Sequence, residues 1–214
     1  MTPQVPDRSR LRRIPERASY EQDDVFAILD AAPICHVSFE VGGQPFVIPT
    51  IHARMGNEVI LHGAKASRLL KHAATGAPLA IAVTILDAIV LARSVFHHSM
   101  NYRSAIVFGH GRLLTDPDEK MAGLEAVSNH LLPGRWEDAR APSTKELNAT
   151  SVIAVMIEEA TCKSRSGPVG DEEEDYALPV WAGLLPTLQG YGRLEPDPGR
   201  HADVPVPDYL KSFS

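Results

Sequence analysis

The sequence predicts a mainly β fold in which antiparallel strands form a barrel, accompanied by a few helices. Runs rich in β-branched residues are separated by short turns such as "GGQP" and "MGN", and short turns join antiparallel neighbours. Helical patterns are few and do not alternate regularly with these runs. This arrangement favours a barrel over a layered α/β fold.

The chain begins with a polar, proline-containing segment at residues 1–18, which we interpret as an N-terminal arm. Ser19 and Gln22 then form a capping-box pattern ahead of an amphipathic run, which predicts a short helix. The helix is expected to end near Pro33, because the residue before a proline disfavours helical backbone angles.

Five strand-like runs follow this helix, and three features within them predict irregular geometry. Pro49 cannot donate to a strand ladder, so its strand is expected to be an edge or to be broken there, which leaves backbone groups free for a planar ligand. The fourth run is too long for one flat strand and predicts a bend or bulge. Gly109 and Gly111 mark candidate bulges in the fifth run. The runs are "ICHVSFE", "FVIPTIHAR", "EVILHG", "PLAIAVTILDAIVLAR" and "SAIVFGHGRLLT".

The segment "DPDEKMAGLEAVSNHLL" predicts the clearest helix, with Asp116 as its cap, Pro117 in its first turn and Glu119 completing a capping box. Its buried stripe is expected to contain Met121, Leu124, Val127 and Leu131. A late strand, "SVIAVMIEEATCKSR", completes a barrel domain at residues 19–165. Residues 166–214 form a C-terminal extension that we expect to pack near the ligand groove.

The composition is that of an ordinary globular protein, with 44% hydrophobic and 22% charged residues. A net charge of −6 argues against broad nucleic-acid binding. Cys35 and Cys162 lie in strand-like runs without metal-site spacing, so buried reduced thiols are expected and no metal site is predicted.

No apolar run is long enough to span a membrane, and no signal-peptide pattern is present, so the cytoplasm is the expected location. An arginine-rich organellar transit segment remains an alternative for the N-terminus.

The segment "LHGAKASRLLKHA" at residues 61–73 has the composition of a phosphate-binding turn. Small residues allow close backbone approach, a helix start offers free amide donors, and arginine can bind two oxygens through its planar guanidinium. An ordinary connection with solvated basic side chains remains the alternative. No G-x-x-x-x-G-K-[ST] motif occurs, so nucleotide hydrolysis is not indicated. The candidate phosphate ligands are Lys65, Ser67, Arg68 and Lys71.

Four blocks between about residues 44 and 186 resemble, in order and spacing, the pyridoxamine 5'-phosphate oxidase-like FMN-binding split barrels. They are "GQPFVIPTIHAR", "ILHGAKASRLLKH", "NYRSAIVFGHGRLL" followed by "DPDEK", and "CKSRSGP" followed by "LPVWAGLLP". The nearer resemblance is to the branch with flavin-nucleotide-binding and nitroimidazole-resistance proteins. It implies a six-stranded antiparallel split barrel that forms a homodimer, with FMN in a groove between the subunits.

The resemblance also implies roles for particular residues. The isoalloxazine edge would be lined by Ile48, Pro49, Thr50, Ile51 and His52. The ribityl chain would approach His62 and Gly63, and the phosphate would be bound by Lys65, Ser67 and Arg68. The loop entering the next strand, in the partner subunit, would supply Tyr102, Arg103 and Ser104. Trp181 would lie in a C-terminal element that covers the flavin.

Two departures from the family pattern bear on activity. Leu69 stands where many relatives have a basic residue, so either Lys65 or Lys71 supplies that charge or the phosphate is bound more loosely. The segment after Trp181 does not match the arginine- and histidine-bearing segment with which the oxidase binds its vitamin substrate. Pyridoxamine phosphate oxidase activity is therefore not expected.

Histidines supply the remaining candidates. His62 is the best candidate for a substrate-side proton donor, since histidine titrates near neutrality, although a structural histidine is an equal alternative. His52 and His62 lie on neighbouring predicted strands, which makes a metal pair a minor alternative to flavin contacts or packing. The acidic run at residues 171–175 is expected to be a solvated loop.

Three functions are consistent with these features. The first is an FMN-dependent oxidoreductase acting on a small organic substrate, with nitro or quinone-like compounds and a nicotinamide donor as candidates. The second is a flavin-binding or flavin-sensing module without turnover. The third is a relative of the same barrel that binds haem or a deazaflavin.

Overall fold

A computed structural model describes residues 6–199, 204–211 and 213 of the chain; residues 1–5 of the predicted arm and parts of the C-terminal extension lie outside this description. The strands of the described residues are β1 (Ala18–Ser19), β2 (Ile34–Val41), β3 (Gln44–Met55), β4 (Glu58–Ala64), β5 (Pro78–Leu91), β6 (Ser99–Leu113), β7 (Thr150–Met156), β8 (Glu159–Arg165) and β9 (Gly183–Pro186). The helices are α1 (Gln22–Ala31), α2 (Arg68–Ala73), α3 (Pro117–Leu131), α4 (Arg135–Asp138), α5 (Thr144–Ala149) and α6 (Asp208–Lys211).

The strands form one antiparallel sheet that closes on itself. Its order is β1-β8-β6-β7-β4-β3-β2-β5-β9, and an additional pairing joins β5 to β6. That pairing closes a ring of six strands, β2 to β7, while β8 and β9 extend the sheet from β6 and β5. The six-stranded antiparallel split barrel predicted from the sequence is confirmed.

The split in the barrel is visible in the register of β3 and β4. These strands pair only from His52 opposite Leu61 to Met55 opposite Glu58. Beyond Leu61, β4 continues along β7 as far as Ala64 opposite Thr150, whereas β3 continues along β2. The two strands therefore diverge immediately after the His52–Leu61 pair, and we call this point the fork.

Two apolar clusters stabilise this architecture. The larger fills the barrel, where side chains of α1 and α2 meet the inward faces of the strands; Leu29, Val37 and Leu61 are among its fully buried members. The smaller lies outside the barrel, where α3 packs on β3, β4 and β7 through residues such as Ile60 and Val127. Alternate residues of β4 thus face two different cores, as strand geometry requires.

Several local predictions are confirmed. Asp116 caps α3 by accepting hydrogen bonds from the amides of Asp118 and Glu119, and Pro117 occupies the first turn. The predicted bulge falls at Asp87, where the β5–β6 register shifts. Both cysteines are buried and unpaired. Among the described residues, no helix is long and apolar enough to cross a membrane.

Other local predictions are wrong. Ser19 belongs to β1 and binds the Asp24 carboxylate, while Glu21 is the N-cap of α1, so the capping box does not form. The carboxylate of Glu119 binds Arg112 instead of completing a box. The predicted late strand is two strands, β7 and β8, because the chain turns at residues 157–158. β7 pairs with β4 and β6, whereas β8 pairs with β6 and β1.

Candidate functional site

A pocket of about 450 Å³ opens at the fork, between the first unpaired residues of β3 and β4 and the helices α3 to α5. We call it the fork pocket. Its apolar lining is contributed by Ile51, Leu124, Val127, Leu131, Trp136, Pro142 and Leu147. Its polar lining is contributed by His62, Ser128, Arg140, Glu146 and Thr150. The volume falls within the range of about 300–1,000 Å³ typical of small-molecule and cofactor sites.

His62 is the fork pocket's titratable imidazole. It follows Leu61 on β4, and because neighbouring strand residues face opposite sides, it points away from the barrel core towards the helices. Its Nδ1 is buried without a hydrogen-bond partner among the described residues. Burial lowers the pKa of His62 below its usual value, so the neutral imidazole is favoured at physiological pH.

A second polar region lies where β4 joins α2, and we call residues 64–68 the basic turn. Ser67 is the N-cap of α2, and its hydroxyl accepts a hydrogen bond from the Leu70 amide. The Arg68 guanidinium lies 4.5 Å from the centre of the Phe46 ring on β3. Arg68 also lines a cavity of about 450 Å³ with Val41, Ala66, Lys71 and His72. The predicted phosphate ligand Arg68 therefore lies against residues 44–51 of β3, the part that does not pair with β4, which we call the outer half of β3.

Positive charge is concentrated beside the basic turn. The Lys120 ammonium donates to the carbonyls of Leu147 and Thr150 at 2.5 and 2.6 Å. Burial, together with the nearby charge of Lys65, lowers the pKa of Lys120. Across the structurally described part of the chain, Lys65, Arg68 and Lys120 form no ion pair. Such a group of uncompensated cations favours an anionic ligand.

The outer half of β3 has β2 as its only strand neighbour within the described ranges, since β4 has left it at the fork. Pro49 is exposed in this half, opposite His36 of β2. The prediction that this strand is an edge at Pro49 is therefore confirmed. A ladder edge of this kind carries unpaired N–H and C=O groups that can bind the polar edge of a planar ligand.

The family model described as pyridoxamine 5'-phosphate oxidase matches residues 21–164. The chain belongs to the pyridoxamine 5'-phosphate oxidase-like family. A comparison with curated proteins finds no match. The residues matched by the family model include both the fork and the basic turn.

Among solved structures, two are similar to this chain over nearly their whole length and a third shares the fold at lower identity. The flavocytochrome Anf3 from Azotobacter vinelandii superposes with a TM-score of 0.90 and 40% identity, over 99% of both chains. An FAD and haem binding protein from Mycobacterium smegmatis gives a TM-score of 0.87 and 34% identity, over 92% of this chain and 97% of that one. A Bacteroides thetaiotaomicron protein assigned to 5-nitroimidazole antibiotic resistance shares the fold, with a TM-score of 0.56, 19% identity and coverage of 68% and 85%.

The structure groups some of the family-implied site residues at the fork. Ile51 and His62 line the fork pocket together. Gly63 follows His62 on β4. A Cβ at this position would lie 3.2 Å from the Leu70 side chain, so glycine allows α2 to pack closely on β4. Ile48, Pro49 and Thr50 lie on the free edge of β3, and the basic turn supplies Lys65, Ser67 and Arg68.

His52 is placed differently from the implied flavin contact. Its side chain is completely buried, with Nε2 3.1 Å from the Leu29 carbonyl oxygen of α1. Its ring centre lies 5.2 Å from that of His130 on α3. The predicted neighbour His62 instead faces the fork pocket. The His52 side chain is therefore a packing group between two helices, so any contact of this residue with a flavin edge would be made by its backbone.

Tyr102, Arg103 and Ser104 lie inside β6, not in a loop, which corrects that part of the prediction. Arg103 binds the Asp87 carboxylate, and Ser104 donates to the Lys163 carbonyl.

The strand register shows how far β6 lies from the free edge of β3. It pairs Pro49 with His36, His36 with Ala82 and Ala82 with Ile106. This part of β6 is therefore three strand spacings, or about 14 Å measured along the curved sheet, from the free edge of β3.

Trp181 is also remote from the fork within one chain. It is 69% exposed and precedes β9, whose Gly183 pairs with Leu91 of β5. Leu91 is nine residues along β5 from Ala82, which is about 30 Å in an extended strand. One chain therefore does not bring Trp181 to the flavin edge that the resemblance implies.

Sequence reasoning missed the helical wall of the fork pocket. Trp136 and Arg140 come from α4 and the segment after it, and Leu147 comes from α5. One signal was present in the sequence: Ser143 and Glu146 form a complete capping box that begins α5. The role of Lys120 in binding the end of α5 had no sequence signal, since it depends on a tertiary contact.

Proposed function

We propose that this protein is a flavin-binding redox protein of its family that also binds haem, as a flavocytochrome does. The observation that carries the proposal is the fork, because it combines an open strand edge, uncompensated cations and an apolar pocket with a histidine. Two relatives above 30% identity support it, since one is a flavocytochrome and the other binds FAD and haem.

The residues present fit a phosphorylated flavin. Flavin carries hydride and electron chemistry, and the protein supplies binding, orientation and electrostatics. The free backbone edge of Ile48, Pro49 and Thr50 suits the polar edge of the ring. The Arg68 side chain, stacked against Phe46 of the same strand, suits a phosphate. We propose that the flavin lies along the outer half of β3 with its phosphate on the basic turn.

FMN and FAD share the phosphate that this proposal requires. FMN is the flavin implied by the sequence resemblance, and FAD is the flavin bound by the Mycobacterium smegmatis relative. Acid extraction of the purified protein, followed by chromatography and mass spectrometry of the released flavin, distinguishes the two. A colourless protein that binds neither flavin on titration would contradict the proposal.

For activity, we propose oxidoreduction of a small organic substrate, with nitro or quinone-like compounds and a nicotinamide donor as the classes to assay. His62 remains the candidate for positioning or protonating a substrate at the fork. A non-catalytic flavin-binding module is the competing proposal. Anaerobic reduction of the bound flavin by NADH or NADPH, followed by reoxidation with a quinone, favours turnover; failure of every donor favours the module.

Arg68→Ala is expected to weaken FMN binding by one to two orders of magnitude while leaving riboflavin binding nearly unchanged. The substitution removes a charge-assisted hydrogen bond to the phosphate, worth about 1.5–3 kcal/mol, but leaves the strand edge intact. Lys65→Ala should have a smaller effect, because lysine is a more strongly hydrated point charge on a flexible stem. Quenching of flavin fluorescence during titration of the apo-protein measures all these affinities.

Arg12→Ala is the matched control, since it removes an exposed arginine of the N-terminal arm that pairs with Asp7 and lies outside the basic turn. It should leave both affinities as in the wild type. Equal losses for FMN and riboflavin in Arg68→Ala would show that the phosphate is bound elsewhere.

We also propose that the protein is a homodimer with the flavin groove at the subunit interface. Within one chain, β6 and Trp181 lie too far from the free edge of β3 to contact the same ligand. A second copy could bring them there through a twofold arrangement. Three exposed apolar side chains, Val95, Phe96 and Leu188, are each more than 80% accessible in the single chain, which supports a covering partner.

Light scattering of the flavin-loaded protein is expected to give twice the chain mass. Such an interface would bury more than about 2,000 Å² in total, as obligate dimers do, so dilution to micromolar concentration should not dissociate it. A stable monomer that keeps its flavin would contradict both the dimer and the assignment of Tyr102, Ser104 and Trp181 to the partner's groove.

A further inference from the structure

Four side chains form a continuous stack where α2 meets the hairpin of β2 and β3. Phe39 and Phe46 are register partners on the two strands, and their rings are stacked with centres 5.4 Å apart. The Arg68 guanidinium lies over the Phe46 ring, 4.5 Å from its centre. The His72 ring, on the same helix as Arg68, has its centre 4.9 Å from that of Phe39. We call these four residues the α2 stack.

The order of the α2 stack follows from helix and strand geometry. Arg68 and His72 are four residues apart, so they lie on one face of α2. The two phenylalanine rings meet because opposite residues of an antiparallel pair project from the same face of the sheet. The hairpin therefore provides a platform of two rings, and each ring contacts one side chain of the helix.

The position of α2 does not depend on the outer ring of this platform. Leu69 and Leu70 of the helix are each 3% exposed and belong to the barrel core. Phe39 is also buried in that core, whereas Phe46 is only partly buried and packs at its edge. A substitution of Phe46 should therefore release the Arg68 side chain and leave the helix in place.

The α2 stack leaves the hydrogen-bonding groups of Arg68 free. A cation–π contact uses the flat face of the guanidinium, while the N–H donors lie around the edge of its plane. In the part of the chain that the structure describes, Arg68 makes no hydrogen bond or ion pair with another residue. A free arginine side chain loses much rotamer freedom when it binds an anion, and a ring that already holds the guanidinium reduces that loss.

We propose that Phe46 is a positioning residue for the flavin phosphate, because it holds the Arg68 guanidinium in the orientation that binds the phosphate oxygens. This inference rests on the proposed function, which assigns the phosphate to the basic turn. In this assignment Phe46 acts through Arg68 and contributes no polar contact of its own. Its effect should therefore appear with FMN and be absent with riboflavin, which has no phosphate.

The first test is titration of the full-length apo-protein with FMN and with riboflavin, monitored by flavin fluorescence. Phe46→Leu should lower FMN affinity about two- to fivefold, the equivalent of one exposed cation–π contact, and leave riboflavin affinity unchanged. Phe46→Tyr keeps the ring face and should bind both flavins as the wild type does. Phe108→Leu is the matched control, because it removes another partly buried phenylalanine that has an arginine, Arg8, 4.8 Å from its ring centre.

A double-mutant cycle separates positioning from direct contact. In the Arg68→Ala background, Phe46→Leu should cause no further loss of FMN affinity, since no guanidinium remains to be oriented. An additional loss in that background, or an equal loss for riboflavin, would show that Phe46 contacts the flavin itself and would overturn the inference.

Two other outcomes would also contradict the role of Phe46. Wild-type FMN affinity in Phe46→Leu would show that Arg68 needs no ring to orient it, and tighter binding would show that the stack holds Arg68 away from the phosphate. Either result, with FMN affinity still lost in Arg68→Ala, overturns this inference alone. Unchanged FMN affinity in Arg68→Ala is a different result, since it would overturn the phosphate site of the proposed function and the role of Phe46 with it.

Discussion

Gly109→Ala is expected to destabilise the protein by at least about 3 kcal/mol, because an added side chain would collide with backbone that cannot move aside. A Cβ at this position would lie 1.8 Å from the Met156 carbonyl oxygen at the end of β7. Removing that overlap requires β6 and β7 to separate where they form one side of the barrel. Overpacking usually costs about 1–3 kcal/mol, and overlap with backbone lies at or above the upper end.

Thermal unfolding monitored by circular dichroism measures this effect. For a domain of this size, about 3 kcal/mol corresponds to a fall in Tm of roughly 6–12 °C. Gly170→Ala is the matched control, since a Cβ there meets nothing within 4 Å and the change should be close to neutral. A Gly109→Ala protein that melts with the wild type would show that β6 and β7 are farther apart than the structure places them.

Gly109 also illustrates what the sequence could and could not predict about the fold. A glycine within a strand indicates irregular geometry, but the sequence alone does not distinguish a bulge from a close approach of another backbone, because both require glycine. The bulge lies instead at Asp87, and Gly109 and Gly111 permit contact with Met156 and Ala73. Sequence pattern identified strands and turns well, because burial periodicity and turn chemistry are local properties.

The same distinction between local sequence features and tertiary contacts applies to the candidate site. The basic turn could be recognised because its residues are consecutive and their chemistry suits an anion. The fork pocket could not, since α3, α4 and α5 reach it from more than sixty residues farther along the chain. The position of the His52 side chain under α1 also depends on a tertiary contact, because strand alternation places Ile51 towards the fork pocket and His52 on the opposite face.

The protein is expected to lose stability as the pH falls below about 6.5, and His52 is the group responsible. Desolvation by burial and the nearby His130 lower the pKa of His52 to about 4, while Asp30 and the Leu29 carbonyl act weakly in the opposite direction. In the unfolded chain the imidazole has its ordinary pKa of about 6.5. Below that pH the unfolded state binds more protons than the folded state, so acid favours unfolding.

The expected loss between pH 7 and pH 4.5 is about 2.5 kcal/mol from this residue alone. Paired carboxylates contribute at lower pH. Glu146 is an example, because Arg140 lowers its pKa in the folded protein to about 2. Such groups reduce stability only when the same carboxylates become protonated in the unfolded chain, near pH 4. His62, whose pKa burial also lowers, contributes in the same direction as His52. The slope near pH 5.5 is therefore set by histidines, not by acids.

His52→Gln isolates the contribution of His52. The amide can still donate to the Leu29 carbonyl but does not titrate, so the variant should start less stable at pH 7 and lose less stability on acidification. Urea unfolding at pH 7.0, 6.0, 5.0 and 4.5 gives the two slopes, with His110→Ala as the exposed-histidine control. Parallel pH profiles for the wild type and His52→Gln would mean that the folded protein accommodates a protonated His52. That result would require an anionic or polar partner for Nδ1, the ring nitrogen left without one between α1 and α3 in the described chain.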